Sequence, residues 1–303
     1  MKILITGHTG MLGSNLIERL RDEHDVLGLS RRSGVDLRDK DLVRKVVEEF
    51  RPEIVYHLAA NAAESRGQVV PIDMTERNLN IFLNTLIPSI NSGVKRFLYT
   101  SSVAVYGEAD VPYAEDDICK PKDVYGVNKL AAEQILKILS NVHGLDYTIF
   151  RPHNLYGPHQ DMSDPFRNVI ALFMRNIIEN KPCDIYGGGK MRRAFSYVDD
   201  VVDVFIDALS DKYRNQTINV GSSIEYGVAD VLSKIETISG KKAIINQKPA
   251  RPQEIYLFLA SHKKLNLMHP YHETPIEEGL KKTWDYINLP EIRREHDEIH
   301  TSR

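Results

Sequence analysis

Cysteine is scarce, and so are long apolar runs and excess charge of one sign. Each scarcity closes off a class of protein. Two cysteines, Cys119 and Cys183, stand in 303 residues. They form neither a disulfide framework nor a metal-ligand spacing, so no metal site is expected and both are read as reduced thiols of a cytoplasmic protein. No uninterrupted apolar stretch approaches the roughly 18 residues that a membrane span needs. The opening Met1-Lys2-Ile3-Leu4-Ile5-Thr6-Gly7 is too brief for the apolar core of a signal peptide and turns straight into glycines. The net charge of -3 comes from acids and bases spread along the chain. A nucleic-acid or anionic-membrane partner would need a basic face, so neither is expected. There is no internal repeat and no low-complexity segment. The charged tail over 291–303 is expected to fray.

What is present is alternation. Short apolar runs at 2–6, 25–29, 54–60, 96–101 and 147–151 read as strands. Between them, helical spacing appears after residue 10 (Leu12, Leu16, Ile17, Leu20) and over 39–50 (Leu42, Val43, Val46, Val47), 75–91 and 124–141. The near-continuous apolar character of 54–60 suits a parallel sheet covered on both faces. Strands alternating with helices imply right-handed crossovers and an α/β, Rossmann-type doubly wound parallel sheet. Ligands of such sheets bind beyond the carboxyl ends of the strands. Gly7, Ala59-Ala60 and Ser101-Ser102 all fall at such ends and converge on one crevice. Beyond Arg151 the alternation loosens. Helices are expected over 168–180, 199–211 and 228–239, the last with Leu232, Ile235 and Ile238 on one side, and a strand and turn over 184–189.

Two patterns carry chemistry. The first is Gly7-His8-Thr9-Gly10-Met11-Leu12-Gly13 between a strand and a helix. Glycines there let the backbone approach a pyrophosphate, and the helix N-terminus offers it free N–H groups. The plain alternative is a tight turn with no ligand. The second is Tyr125 and Lys129, four residues apart and so on one helix face. An ammonium beside a phenol favours the phenolate and lowers its pKa from about 10 toward neutrality. A tyrosine so tuned can pass a proton to and from an alcohol oxygen. Tyr-x-x-x-Lys also arises by chance, but here it follows a nucleotide-binding fingerprint, with Ser101-Ser102 between them.

In this order the motifs resemble the extended short-chain dehydrogenase/reductases, in particular the nucleotide-sugar epimerase/dehydratase group. The resemblance runs through Thr6-Gly7-x-x-Gly10-x-x-Gly13, Asp36-Leu37, His57-Leu58-Ala59-Ala60, Asn78, Ser101-Ser102-Val103-Ala104-Val105-Tyr106-Gly107, Tyr125 with Lys129, and Arg151-Pro152-His153-Asn154-Leu155-Tyr156-Gly157-Pro158. It ends with 193–200, Arg251-Pro252-Gln253-Glu254 and Glu277-Glu278-Gly279-Leu280. It implies that Ser102 bonds the reacting sugar oxygen, that Tyr125 is the general acid/base, and that Lys129 holds the nicotinamide ribose. Gly7, Thr9, Gly10, Met11, Leu12 and Gly13 would bind the cofactor, as would Leu58, Ala59, Ala60 and Asn78, with Asp36 and Leu37 at its adenine. Asn154, Arg193 and Arg251 would hold the nucleotide-diphosphate-sugar, the arginines on its pyrophosphate; a surface ion pair is the plain alternative for both. His153 either touches substrate or packs. The resemblance further implies a dinucleotide-binding domain of 1–152 with about 194–222, a smaller C-terminal α/β substrate lobe of about 153–193 with 223–303, and a homodimer formed through the helices over 75–91 and 124–141.

Departures from the group narrow the reaction. Dehydratases carry an Asp-Glu pair directly after the serine position, and decarboxylases a nearby glutamate. Val103 and Ala104 can do neither job. The GDP-fucose synthase type uses a cysteine and a histidine where this chain has Val103 and Asn168. The segment instead is similar to the Ser-Ala-Ala-Val-Tyr-Gly run of 4-epimerases. NAD-preferring members end the second strand with an acid; here Ser30-Arg31-Arg32 argues for NADP over NAD, unless the arginines are merely solvated. The expectation is therefore an NAD(P)-dependent nucleotide-diphosphate-sugar 4-epimerase. Its rivals are an NADPH-dependent 4-keto-sugar reductase and a non-catalytic dinucleotide sensor.

Overall fold

Lys2–Thr6 (β1), Asp25–Leu29 (β2), Ile54–His57 (β3), Arg96–Thr100 (β4), Asp146–Pro152 (β5) and Gln216–Val220 (β6) form one parallel sheet in the order β6-β5-β4-β3-β1-β2. The computed structural model describes residues 1–62, 67, 69–108, 111–162, 164, 168–250 and 257–292. Ile3 lies in register with Val26 on one side and Ile54 on the other. The strand order reverses at β1, so β1 and β3 open a crevice at their carboxyl ends, where open α/β sheets bind ligands.

Side chains alternate across a strand, and here both faces are apolar. Ile3, Ile5, Tyr56, Leu98 and Phe150 pack against α1 (Met11–Leu20) and α5 (Val198–Asp207). Leu4, Val55, Phe97, Tyr99 and Ile149 pack against α2 (Lys40–Phe50), α3 (Ile81–Asn91) and α4 (Val124–His143). A third cluster lies in the C-terminal part, where Ile170, Phe173, Met174, Val231, Leu232, Ile235 and Leu280 join the helices Val169–Ile178, Val228–Ser239 and Ile276–Ile287.

Several bounds differ from the sequence expectation. The third strand stops at His57 rather than 60. After Leu58 N donates to Thr6 O at 3.2 Å, the chain bends over Gly7 and leaves the sheet. The helix expected from 75 starts earlier, at Pro71–Thr75, because proline suits a first helical turn. It then passes through a π turn, Glu76–Asn80, before α3. α5 ends at Asp207, not 211. Pro182–Tyr186 pairs in parallel with Ile244–Lys248, an exposed strand with no clear periodicity. Both cysteines are free. Among the described residues no helix is long and apolar enough to cross a membrane, and no group of three His, Cys, Asp or Glu is placed to hold a metal ion. The tail expected to fray, 291–303, lies mostly outside the described residues.

Candidate active site

A crevice of about 1360 Å3 runs from the glycine turn after β1, over the ends of β3 and β4, to the C-terminal cluster. Gly7, Thr9, Gly10, Met11, Leu12 and Gly13 line one end. Gly7 adopts φ 74, and a Cβ on Gly13 would stand 2.3 Å from Gly7 O and 2.6 Å from His8 Cα. The turn and α1 therefore touch backbone to backbone. Gly10 caps α1 without any side-chain bond, so the first-turn N–H groups of the helix remain available at the crevice wall. That turn fits a diphosphate, which is the test the expected dinucleotide has to pass. Gly13→Ala should lower the thermal midpoint by several degrees and weaken dinucleotide binding. Both atoms it meets are backbone and cannot rotate away, and overpacking costs about 1–3 kcal/mol. Melting curves with and without NAD or NADP check it.

The next wall holds Ser30, Arg31, Arg32, Asp36 and Leu37. Ser30 Oγ accepts from Ser33 N at 3.2 Å and caps the short turn that presents Arg31 and Arg32, both exposed. Asp36 is gripped by Arg38, with Nη2 donating to Oδ2 at 2.6 Å and Nε to both oxygens. That bond holds the Asp36 carboxyl down at about 2. Leu58, Ala59 and Ala60 form the floor. Asn78 stands behind this wall rather than on it. Its Oδ1 accepts from Asn61 N at 3.0 Å and its Nδ2 donates to Met74 O at 2.9 Å, so it supports the crevice through Asn61. The π turn lets Asn78 point there.

At the centre, Ser102, Tyr125 and Lys129 line the same space. Three details place them. Asp123 caps α4 by accepting from Gly126 N at 2.8 Å, which orients the turn carrying Tyr125. Gly126 lets that turn close on the segment Val103–Val105, since a Cβ there would stand 2.6 Å from Ala104 O. Ser102 Oγ accepts from Ala104 N at 3.1 Å, which leaves its hydroxyl hydrogen to donate elsewhere. Tyr125 is 6% exposed and packs on Met74 and Ala104. Lys129 Nζ donates to Thr100 O at 2.6 Å and lies 5.7 Å from the Tyr125 ring centre. Burial pushes its pKa down to about 7, with Glu133 opposing the shift.

Beneath them lies a network with no motif of its own. Arg151 donates from Nε to Glu133 Oε1 at 2.9 Å and from Nη2 to Oε2 at 2.6 Å, and Ser101 Oγ donates to the same carboxylate at 2.5 Å. Arg151 Nη1 also donates to Tyr106 OH at 2.8 Å, and that hydroxyl donates to Asn219 Oδ1 at 2.7 Å. All five side chains are buried. Sequence reading placed Ser101, Tyr106 and Arg151 in motifs but missed Glu133 and Asn219. The spacing Lys129-x-x-x-Glu133, one turn along the same helix face, was the available signal.

The far end is lined by Asn154, Asn168 and Arg193, and by Arg175, Tyr186, Phe195 and Tyr286, to which sequence reading gave no role. Asn154 takes φ 41, a conformation asparagine tolerates, and donates from Nδ2 to Ala194 O at 3.0 Å. Asn168 caps its helix by accepting from Ile170 N at 3.1 Å. Arg175 donates to Met162 O at 2.9 Å. His153 is buried with its ring 5.4 Å from that of His262, outside the crevice lining. Arg251 and its Arg-Pro-Gln-Glu run lie outside the described residues.

Residues 3–221 match the family described as NAD dependent epimerase/dehydratase. The chain belongs to that family. The chain is similar to a putative UDP-glucose 4-epimerase of Methanocaldococcus jannaschii, 28% identical over 94% of this chain and 98% of that one. Two solved structures are similar across almost their whole length. One is the UDP-glucose 4-epimerase of Thermotoga maritima with UDP-glucose, with a TM-score of 0.88 and 28% identity over 95% of this chain and 98% of that one. The other is the UDP-glucose 4-epimerase of Thermus thermophilus with NAD, with a TM-score of 0.87 and 29% identity over 96% and 100%. The Rossmann-type sheet and the epimerase/dehydratase resemblance expected from the motifs are those of this family.

Proposed function

We propose that this member of the family is a nucleotide-diphosphate-sugar epimerase acting at C4 with an NAD(P) cofactor. The observation that carries the proposal is the meeting of Ser102, Tyr125 and Lys129 on one wall of a crevice that begins at the glycine turn. Bound along that turn, the dinucleotide would supply reversible hydride acceptance for a secondary alcohol. Gly7 and the first turn of α1 would hold its diphosphate, Ser30 to Arg32 with Asp36 and Leu37 its adenosine end. The protein's own part is proton transfer and positioning. Tyr125 takes the proton of the C4 hydroxyl and returns it, and the Lys129 ammonium favours the phenolate form needed for the first of these steps. Ser102 donates to the same sugar oxygen. Arg193 and Arg251 would hold the substrate diphosphate, because a guanidinium fork pairs with phosphate oxygens, and Arg175 on the same stretch of lining would join them. Val103 and Ala104 supply no further acid or base, which favours epimerisation over dehydration.

The reading takes in the division into a dinucleotide-binding domain (1–152 with about 194–222) and a substrate lobe, a cytoplasmic setting, and a homodimer. Exposed Ile87 on α3 and Val127, Ile138 and Val142 on α4 support the dimer. One observation favours a second reading. Arg31 and Arg32 are exposed at the adenosine end, where they suit a 2′-phosphate, and NADPH used once per turnover suits a 4-keto-sugar reductase.

The deciding experiment incubates purified protein with UDP-, GDP- and dTDP-hexoses. Inversion at C4 without added cofactor is the expected result. NADPH consumption on a 4-keto sugar, with no inversion of any hexose, would replace the epimerase by the reductase.

A further inference from the structure

Lys129 has to be charged for the reaction just described, and its surroundings oppose the charge. Lys129 is buried, with its amine against β4 and the Tyr125 ring. The carboxylate next along its own helix face, Glu133, is held at both oxygens by Arg151 and also by Ser101. Against the amine stand the Thr100 carbonyl at 2.6 Å and two aromatic rings, Tyr99 at 4.9 Å and Tyr125 at 5.7 Å to the ring centres. Tyr125 is a reacting group. Tyr99 has no part in the reading above, yet its ring is the nearer of the two and is 1% exposed.

The ring is also locked. It packs on Phe82 at 5.0 Å between centres and stacks on His57 at 6.1 Å with 26° between planes, while β4 fixes its backbone between β3 and β5. An aromatic face attracts a cation most strongly where both are withdrawn from water. We infer that Tyr99 is a positioning residue for the reaction: its ring face holds the Lys129 ammonium in place beside Tyr125. The kinetic consequence rests on the proposed epimerase reading; the contact itself does not.

The sign follows from the charge. A ring that favours the ammonium raises the pKa of Lys129, so losing the ring lowers it. The ammonium is the active form, so turnover falls as pH rises through that pKa. The other titratable groups near Lys129 are Tyr125 and Glu133 on α4, His57 on β3, which burial keeps neutral, and Arg151 on β5 behind Glu133. Tyr99 stacks on His57 and interacts electrostatically with Tyr125 and Glu133, so Tyr99→Phe, which keeps the stacked ring, is the control for any effect passed through them.

The test compares wild type, Tyr99→Leu and Tyr99→Phe by the pH dependence of kcat and by a lysine 13Cε NMR titration of Lys129, which needs no turnover. Tyr99→Leu should move both the falling limb and the NMR midpoint down by about 1 pH unit, the size a desolvated cation–ring contact gives. Tyr99→Phe keeps the ring and should bring both back. A purely structural role would lower kcat in Tyr99→Leu with both midpoints in place, and that result overturns the inference. Should leucine unfold the chain, pentafluorophenylalanine at 99 keeps the ring's shape while reversing the charge of its face, and must give the same downward shift. An NMR midpoint that shifts while even wild type converts no nucleotide sugar supports the contact and overturns the assigned reaction instead.

Discussion

Tyr125→Phe should lower turnover of the nucleotide sugar by about 10³-fold, within the range that positioned acid–base groups contribute. KM and dinucleotide affinity should stay close to wild type. The substitution removes one hydroxyl and keeps the ring, so packing on Met74 and Ala104 persists, as does the ring face near Lys129. An interaction used only in the transition state appears in kcat and not in KM. The thermal midpoint should be unchanged. Steady-state kinetics on whichever hexose is inverted, with fluorescence titration of the cofactor, separates these quantities. Turnover within about tenfold of wild type would remove Tyr125 from the acid–base role.

Glu133→Ala should be the most damaging single change to stability, at about 3–5 kcal/mol, because it leaves the Arg151 guanidinium charged and buried with its main partner gone. The pair is 0% and 3% exposed at its side chains and is bonded through two parallel contacts. Ser101 loses its acceptor as well, so the Ser101-Ser102 segment should loosen and activity should fall with stability. At about 2–4 °C per kcal/mol for a chain somewhat smaller than this one, the midpoint drops by roughly 10 °C. The double variant Glu133→Leu with Arg151→Met should recover most of that loss, since replacing both charges with apolar groups removes the desolvation cost along with the attraction. A single variant that melts like wild type, or a double variant no better than the single, contradicts this account.

The two predictions draw on different sources of information, and so does the rest of the site. Local residues were legible because their meaning is local. A Tyr and a Lys four apart share a helix face whatever surrounds them, and three glycines between a strand and a helix mark a tight turn wherever they occur. The crevice accordingly gathers Gly7 to Gly13, Ser30 to Arg32, Asp36, Leu37, Leu58 to Ala60, Ser102, Tyr125, Lys129, Asn154 and Arg193 along its lining. Asn78 stands one layer behind that lining, bonded to Asn61. Nothing in its neighbours announces a π turn or a bond to Asn61, and both arise from how the helix meets the loop after β3. Arg175 and Tyr286 escaped notice because no short motif surrounds them. They reach the crevice only because their two helices both pack against the helix Val228–Ser239.

The amino-acid order by itself determined the alternating strands and helices, the glycine turn and the Tyr125–Lys129 pair, since periodicity and spacing act within a few residues. Only the tertiary structure decided that Glu133 would be neutralised by Arg151, that Gly126 would let α4 close on Ala104, and that the Tyr99 ring would lie under the Lys129 amine. Those contacts join neighbouring strands and helices, and sheet order and packing, not distance along the chain, set which side chains share a buried space.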